Sequence, residues 1–372
     1  MNKIYLDNAA TTAIRPEVIQ EMVRVLNDNY GNASSSHSFG RSAKNELETS
    51  RKSIARLLGC SAQEIIFTAN ATEASNWILR NAVSDLNIRR IITSKIEHHA
   101  TYTVKFLETA FGIQVDYVNI LSNGAVDTTH LVTLLSKEKK TLVSLMHVNN
   151  EIGTVLDIDK VGRICRQYNA LFHSDTVQSV GKMELNLHEL EIDFIVASAH
   201  KFHGPKGIGF AYVRKGIVLQ PILYGGEQEK GLRAGTEATH QVVGMAKALE
   251  LSYQNLDKER DYISDLKKYC VAQLETYFPD IKVNGTDTFY NILNVLLPFS
   301  AAKTAMILFH LDMKGIAVSR GSACQSGSPK PSHVLAEMLT EDDLKKPSLR
   351  ISFSHYNTRA DIDAFINELK GI

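Results

Sequence analysis

Short apolar runs recur through the first two thirds of this chain, separated by stretches with helical spacing. The runs lie at 64–67 (EIIF), 90–93 (RIIT), 141–145 (TLVSL), 170–173 (ALFH), 194–197 (FIVA) and 207–213 (GIGFAYV). Runs that are apolar throughout read as strands buried on both faces. Their alternation with helical patterns over about 200 residues predicts a parallel sheet sandwiched by helices. Residues 16–30 place Val18, Ile19, Met22, Val23 and Leu26 on one helical face, with Pro16 suited to the first turn and Gly31 to the stop. Near residue 250 the rhythm changes. A charged helix is predicted over 252–277, then a strand at 292–297, a helix at 304–311 and a strand at 349–353. Thr358-Arg359-Ala360-Asp361 reads as a capping box opening a last helix. The pattern predicts a large α/β domain followed by a smaller α+β domain.

Composition narrows the function classes. Lys plus Arg and Asp plus Glu both number 41, so no global field draws the chain to nucleic acid or an anionic membrane. No apolar stretch reaches the length of a membrane span, and the N-terminus lacks a signal core, which makes the cytoplasm the expected compartment. Cys60, Cys165, Cys270 and Cys324 are far apart and include no CxxC pair, so neither a disulfide framework nor a metal site is expected.

In open parallel sheets, ligands sit beyond the carboxyl ends of the strands. Five such places carry polar residues. After 64–67, the small residues around Ala71 and Thr72 enter a helix and can cradle a phosphate. After 90–93 come His98 and His99, one of which can face a ligand as a stacking plane or proton carrier. After 141–145, Asn149 and Asn150 offer amide donors. After 170–173, Asp175 is a buried acid in need of a cation, or else the cap of the next helix. After 194–197, Lys201 lies between Ser198, His200 and a Gly-Pro-Lys-Gly turn. A phosphate cradle, a flat cover, an acid for a ring nitrogen and an amine together are what pyridoxal phosphate requires.

The stretches YLDNAATT, GNASSSH, TEASN, EHHA, HVNNEIGT, HSDTVQSVGK, SAHKFHGPKGIG, GLRAGTE, SRGSACQSGSPKPSHVL and LRISF run in order from residue 5 to residue 353. In them the chain resembles the NifS/IscS-type cysteine desulfurases, class V aminotransferases of the fold-type I pyridoxal phosphate enzymes. The resemblance implies a mostly parallel seven-stranded sheet, a large domain over 16–255, and a small domain formed by 1–15 with 256–372. It implies that Lys201 carries the cofactor and shuttles the Cα proton. Asp175 would pair with the ring nitrogen, while Gln178 and Asn150 would reach the phenolic side. His98 would stack on the ring and carry protons. Ala71, Thr72, Ser198 and His200 would hold the phosphate, joined by Thr236 of the partner subunit in a homodimer. Arg350, with Asn150, would bind the carboxylate of L-cysteine. Cys324 would take the sulfur as a persulfide and hand it to an acceptor, an iron–sulfur scaffold or another carrier protein.

Three departures from the family stand out. Ala69-Asn70 replaces Ser-Gly before the phosphate turn, a place where asparagine tolerates positive φ. Glu227 and Lys230 replace a glycine and an arginine. About 20 residues follow LRISF, where longer members continue into a scaffold-binding extension, so that docking mode is not implied here. A transaminase needs no acceptor cysteine and a non-catalytic relative would have lost Lys201, Asp175 or Cys324, whereas a selenocysteine lyase would use nearly the same pocket. Gly321, Gly327 and the small serines around Cys324 predict large excursions over 322–329, bounded by Pro329 and Pro331.

Overall fold

In the computed structural model, which describes residues 3–137, 139–321 and 332–372, the apolar runs are strands whose side chains alternate between two helical layers. The strands are β1 (Ile4–Tyr5), β2 (Ile65–Thr68), β3 (Arg90–Thr93), β4 (Gln114–Tyr117), β5 (Thr141–Ser144), β6 (Leu171–Asp175), β7 (Phe194–Ser198), β8 (Gly209–Val213), β9 (Lys282–Val283), β10 (Ile292–Leu296), β11 (Ile316–Ala317) and β12 (Ser348–Ser352). The helices are α1 (Pro16–Asp28), α2 (Ser38–Leu57), α3 (Ala71–Ser84), α4 (Thr103–Phe111), α5 (Thr128–Leu135), α6 (Ile158–Gln167), α7 (Thr239–Gln254), α8 (Leu256–Tyr277), α9 (Thr304–Met313), α10 (Glu341–Lys345) and α11 (Arg359–Lys370).

The central sheet has seven strands in the order β2-β8-β7-β6-β5-β3-β4. Ile65, Phe67, Ile92, Val143 and Ile195 point into one core with α1, α2, α5, α6 and α7. Their neighbours Ile66, Ile91, Leu142, Phe194 and Val196 point into the other, against α3 and α4. Each large apolar side chain so buried contributes about 1.5–3 kcal/mol relative to exposure.

Several elements differ from the sequence expectation. β8 runs against both β7 and β2, unlike the parallel reading of the apolar runs alone, while the other six strands share one direction, which is the mostly parallel seven-stranded sheet that the resemblance implies. The reversal follows from the short β7–β8 connection, too short for a helical crossover. The edge strand β4 carries no apolar run; its Asp116 accepts from Arg90 Nε (2.5 Å) and Gln114 Nε2 (2.8 Å). The charged helix expected at 252–277 is the end of α7 plus α8, separated at Asn255 (φ −108°, ψ 9°). Helix α1 stops at Asp28, short of Gly31, with Asn29 as its cap.

Beyond α7, β12-β10-β9 form an antiparallel sheet. Its core unites Leu266, Cys270 and Leu274 of α8, Val295 of β10, Ile351 of β12 and Phe365 of α11. Leu6 from the N-terminal segment packs into the same core, and β1 pairs in parallel with β11. The capping box is present: the Thr358 hydroxyl accepts from Asp361 N–H, and the Asp361 carboxylate accepts from Thr358 N–H. No helix among the described residues is long and apolar enough to cross a membrane.

Candidate active site

The carboxyl ends of β2, β3, β5, β6 and β7 meet the N-terminal segment at a cavity of about 310 Å³. Ala71, Thr72, His98, Asn150, Asp175, Gln178, Ser198, His200, Lys201 and Arg350 all line it. Each position has a local cause. Asn70 caps α3 by accepting from Glu73 N–H (2.9 Å), and the first N–H of the helix, at Ala71, donates to Ser198 Oγ (2.9 Å). The expected positive φ at Asn70 is not adopted: its φ is −173°, extended backbone, because it caps instead of turning. The turn is admitted by Gly209 of β8, where a Cβ would stand 2.3 Å from Ala197 O and 3.1 Å from the Asn70 backbone.

Lys201 closes the short turn after β7. Its amine donates to the carbonyls of Ala9 and Ala10, each at 2.7 Å. Gln178 Nε2 donates to the same Ala9 carbonyl at 2.9 Å, and Lys182 Nζ donates to Gln178 Oε1 at 3.0 Å. Thr12 Oγ1 donates to His200 O, and His203 N–H donates to Thr12 Oγ1. The N-terminal segment is thereby clamped over the turn.

Arg350, on β12, is 1% exposed. Its Nη1 donates to Asn150 O (2.9 Å) and its Nη2 to Asp7 Oδ1 (2.7 Å), while its buried Nε has no hydrogen-bond partner among the described residues. Ala9, Ala10 and Asp7 carry no local signal, because their partners lie far away in sequence, whereas Lys182 meets Gln178 four residues earlier in the HSDTVQSVGK stretch. The ordered YLDNAATT motif was the one available pointer to the first three.

Burial pushes the Asp175 carboxyl up, opposed by His98, the Val177 N–H and Lys201. Burial likewise pushes the His98 imidazole down, with Asp175 opposing and Lys201 and His333 adding to it. His200 is pushed down to about 3 by burial and by Lys201, Lys206 and Lys182, so it is a neutral hydrogen-bonding group. Lys182 falls to about 7 for the same kind of reason, burial first and then Lys201 and Arg350.

Two of the sequence candidates lie elsewhere. Thr236 lies beside a separate hollow with Phe67, Thr68, Glu229 and Arg233. Beside it, Glu229 takes both guanidinium nitrogens of Arg51 at 2.8 Å and the Phe67 N–H at 2.8 Å. His99 faces Tyr102 and His333 instead of the cavity. Cys324 and the expected mobile stretch 322–329 lie outside the described residues. The other three cysteines are free thiols that burial pushes up to about 12, which makes them poor nucleophiles.

The donor set fits pyridoxal phosphate. Asp175 is a carboxylate out of water whose only hydrogen bond among the described residues comes from Val177, and a protonated ring nitrogen supplies the missing cation. Ser198, His200 and the start of α3 line the same cavity and suit a phosphate, and Lys201 lines it with them.

The comparisons with known proteins agree. The aminotransferase class-V family matches residues 4–365. The chain is 38% identical to a cysteine desulfurase IscS of Dictyoglomus turgidum, over all of this chain and 94% of that protein. It is 40% identical to a cysteine desulfurase of Nostoc sp., over all of this chain and 93% of that one. A solved structure described as a NifS-like protein superposes with a TM-score of 0.91 at 35% identity, covering 100% of this chain and 99% of the other.

Proposed function

This chain belongs to the aminotransferase class-V family and is a pyridoxal phosphate-dependent cysteine desulfurase, and from that premise we propose how its residues divide the work. One observation carries the assignment: Lys201, Asp175, His98 and Arg350, drawn from four distant segments, line a single cavity.

Asp175, Gln178, His98 and Asn150 hold the ring, and Ala71, Thr72, Ser198 and His200 hold the phosphate. When bound, the cofactor supplies an electron sink for charge developing at the substrate Cα. Arg350 orients the L-cysteine carboxylate; its Nε, without a partner among the described residues, leaves donor capacity after Asp7 and Asn150 are served. Lys201 takes the Cα proton at Nζ, within reach of the Ala9 and Ala10 carbonyls. His98, held neutral by burial, carries a thiol proton. The Cys324 thiolate attacks the substrate sulfur: an S–S bond forms and the Cβ–S bond breaks. The carbon fragment keeps the electron pair and leaves as alanine after protonation, with the persulfide on Cys324.

The active form is a homodimer in which Thr236 of the partner subunit completes the phosphate site, a reading supported by the fact that a subunit's own Thr236 lines a separate hollow and not this cavity. The division into 16–255 and 1–15 with 256–372 is supported by the separate apolar cores and by the break at Asn255. The persulfide goes to an iron–sulfur scaffold or another carrier protein in the cytoplasm. Cys324→Ala tests the reading directly. The variant keeps the cofactor's visible absorbance but releases neither alanine nor sulfide from L-cysteine in a turnover assay. Normal turnover would remove Cys324 from the reaction.

A further inference from the structure

Lys182 has no place in that division of work, yet it is buried against Gln178, which has one. It is 7% exposed. Among the described residues its ammonium has a single hydrogen-bond acceptor, Gln178 Oε1 at 3.0 Å, and no carboxylate at ion-pairing distance. Burying an ammonium so poorly matched is expensive, and it stands within the influence of two further cations, Lys201 and Arg350.

The partner explains the cost. A carboxamide can present either its oxygen or its NH₂ to a neighbour. Here the two sides of Gln178 meet groups with fixed roles. In its charged form Lys182 can only donate, and the Ala9 carbonyl, which also receives Lys201 Nζ, can only accept. A flipped amide would set NH₂ against the ammonium and oxygen against the carbonyl, losing both bonds.

We propose that Lys182 is a positioning residue: by holding Gln178 Oε1 it keeps the Gln178 N–H on the side of Ala9 and Lys201, so that the cofactor's phenolic oxygen meets a donor and never an acceptor. This rests on the reading that Gln178 faces that oxygen. The donor favours the ionised phenolic oxygen, so its loss weakens cofactor retention and moves the pH at which the cofactor's visible band changes.

The test compares holoenzymes of wild type, Lys182→Met, Lys182→Arg, Gln178→Ala and the double variant Lys182→Met/Gln178→Ala. Cofactor dissociation is followed by dialysis, and the visible band by pH titration. Losing a charge-assisted hydrogen bond predicts roughly tenfold weaker retention and a displaced midpoint for Lys182→Met. Lys182→Arg, still a pure donor, recovers part of both. The double variant is no worse than Gln178→Ala alone. A merely structural lysine would leave the pH midpoint of the visible band at its wild-type value and would not give partial recovery by Lys182→Arg. Wild-type readings for Lys182→Met beside an affected Gln178→Ala would overturn the inference alone, as would fully additive effects in the double variant. Wild-type readings for Gln178→Ala would overturn the underlying reading of Gln178, and the inference with it.

Discussion

The two walls of the cavity are built on different plans. Asp175, Ser198, His200 and Lys201 stand at the ends of neighbouring strands in a sheet packed on both faces, with backbone groups meeting Asp175, Ser198 and Lys201 and the Thr11 hydroxyl meeting the His200 ring. The opposite contribution, Arg350, comes from an antiparallel strand of the smaller sheet, and its charge is already engaged by Asp7. The first wall suits a group that stays, and the second suits one that arrives and leaves. In the proposed reading, the substrate carboxylate shares or replaces Asp7 on the guanidinium.

Substitutions can break this contrast. The largest effect is expected from Lys201→Ala on the sheet wall: alanine release falls roughly a thousandfold or more, and the covalently held cofactor band disappears from the visible spectrum. An unchanged spectrum would mean the sheet wall does not retain the group. Arg350→Lys should leave that spectrum intact and raise KM for L-cysteine about 10- to 100-fold, through loss of the planar fork. Cofactor loss in that variant would show that the two walls are not separable.

The smallest effect tests how dry the sheet wall is. Glu97, before His98, is buried with Ser94 Oγ and Met146 N–H on one oxygen and, among the described residues, no partner on the other. Burial, with the nearby Asp175 charge, pushes it from 4.5 up to about 8. Between those values the folded chain keeps a proton that the unfolded chain has released, so stability falls as pH rises through the window. Glu97→Gln removes the titration. Its stability should therefore gain on wild type by about 1.4 kcal/mol per pH unit between pH 6 and 7, read from denaturant melts at each pH. Parallel curves would mean that water reaches Glu97.

The sequence revealed the sheet wall better than anything else, for a physical reason. Strand ends are announced by apolar runs, so the residues just after them could be picked out without knowing the fold, and Asp175, Ser198 and Lys201 fell together as expected. β4 was hidden because an edge strand with one polar rim has no apolar run to show. The direction of β8 depends on how β7 returns, which side-chain pattern does not encode. The break at Asn255 is hidden because the residues on either side are good helix formers. The N-terminal clamp rests on contacts such as Lys201 to Ala9, 192 residues apart, and no local pattern reports those.

The Arg51–Glu229 pair has a consequence for assembly. Its bidentate bridge, both side chains nearly inaccessible, fastens the backbone around Glu229 to β2 and α2 of its own subunit. Thr236 follows a few residues later on the same stretch. In the proposed dimer, the arm that reaches the neighbouring phosphate site is thus already shaped before the subunits meet. Association then loses little chain entropy, and a lone subunit is an unfinished enzyme but a finished fold.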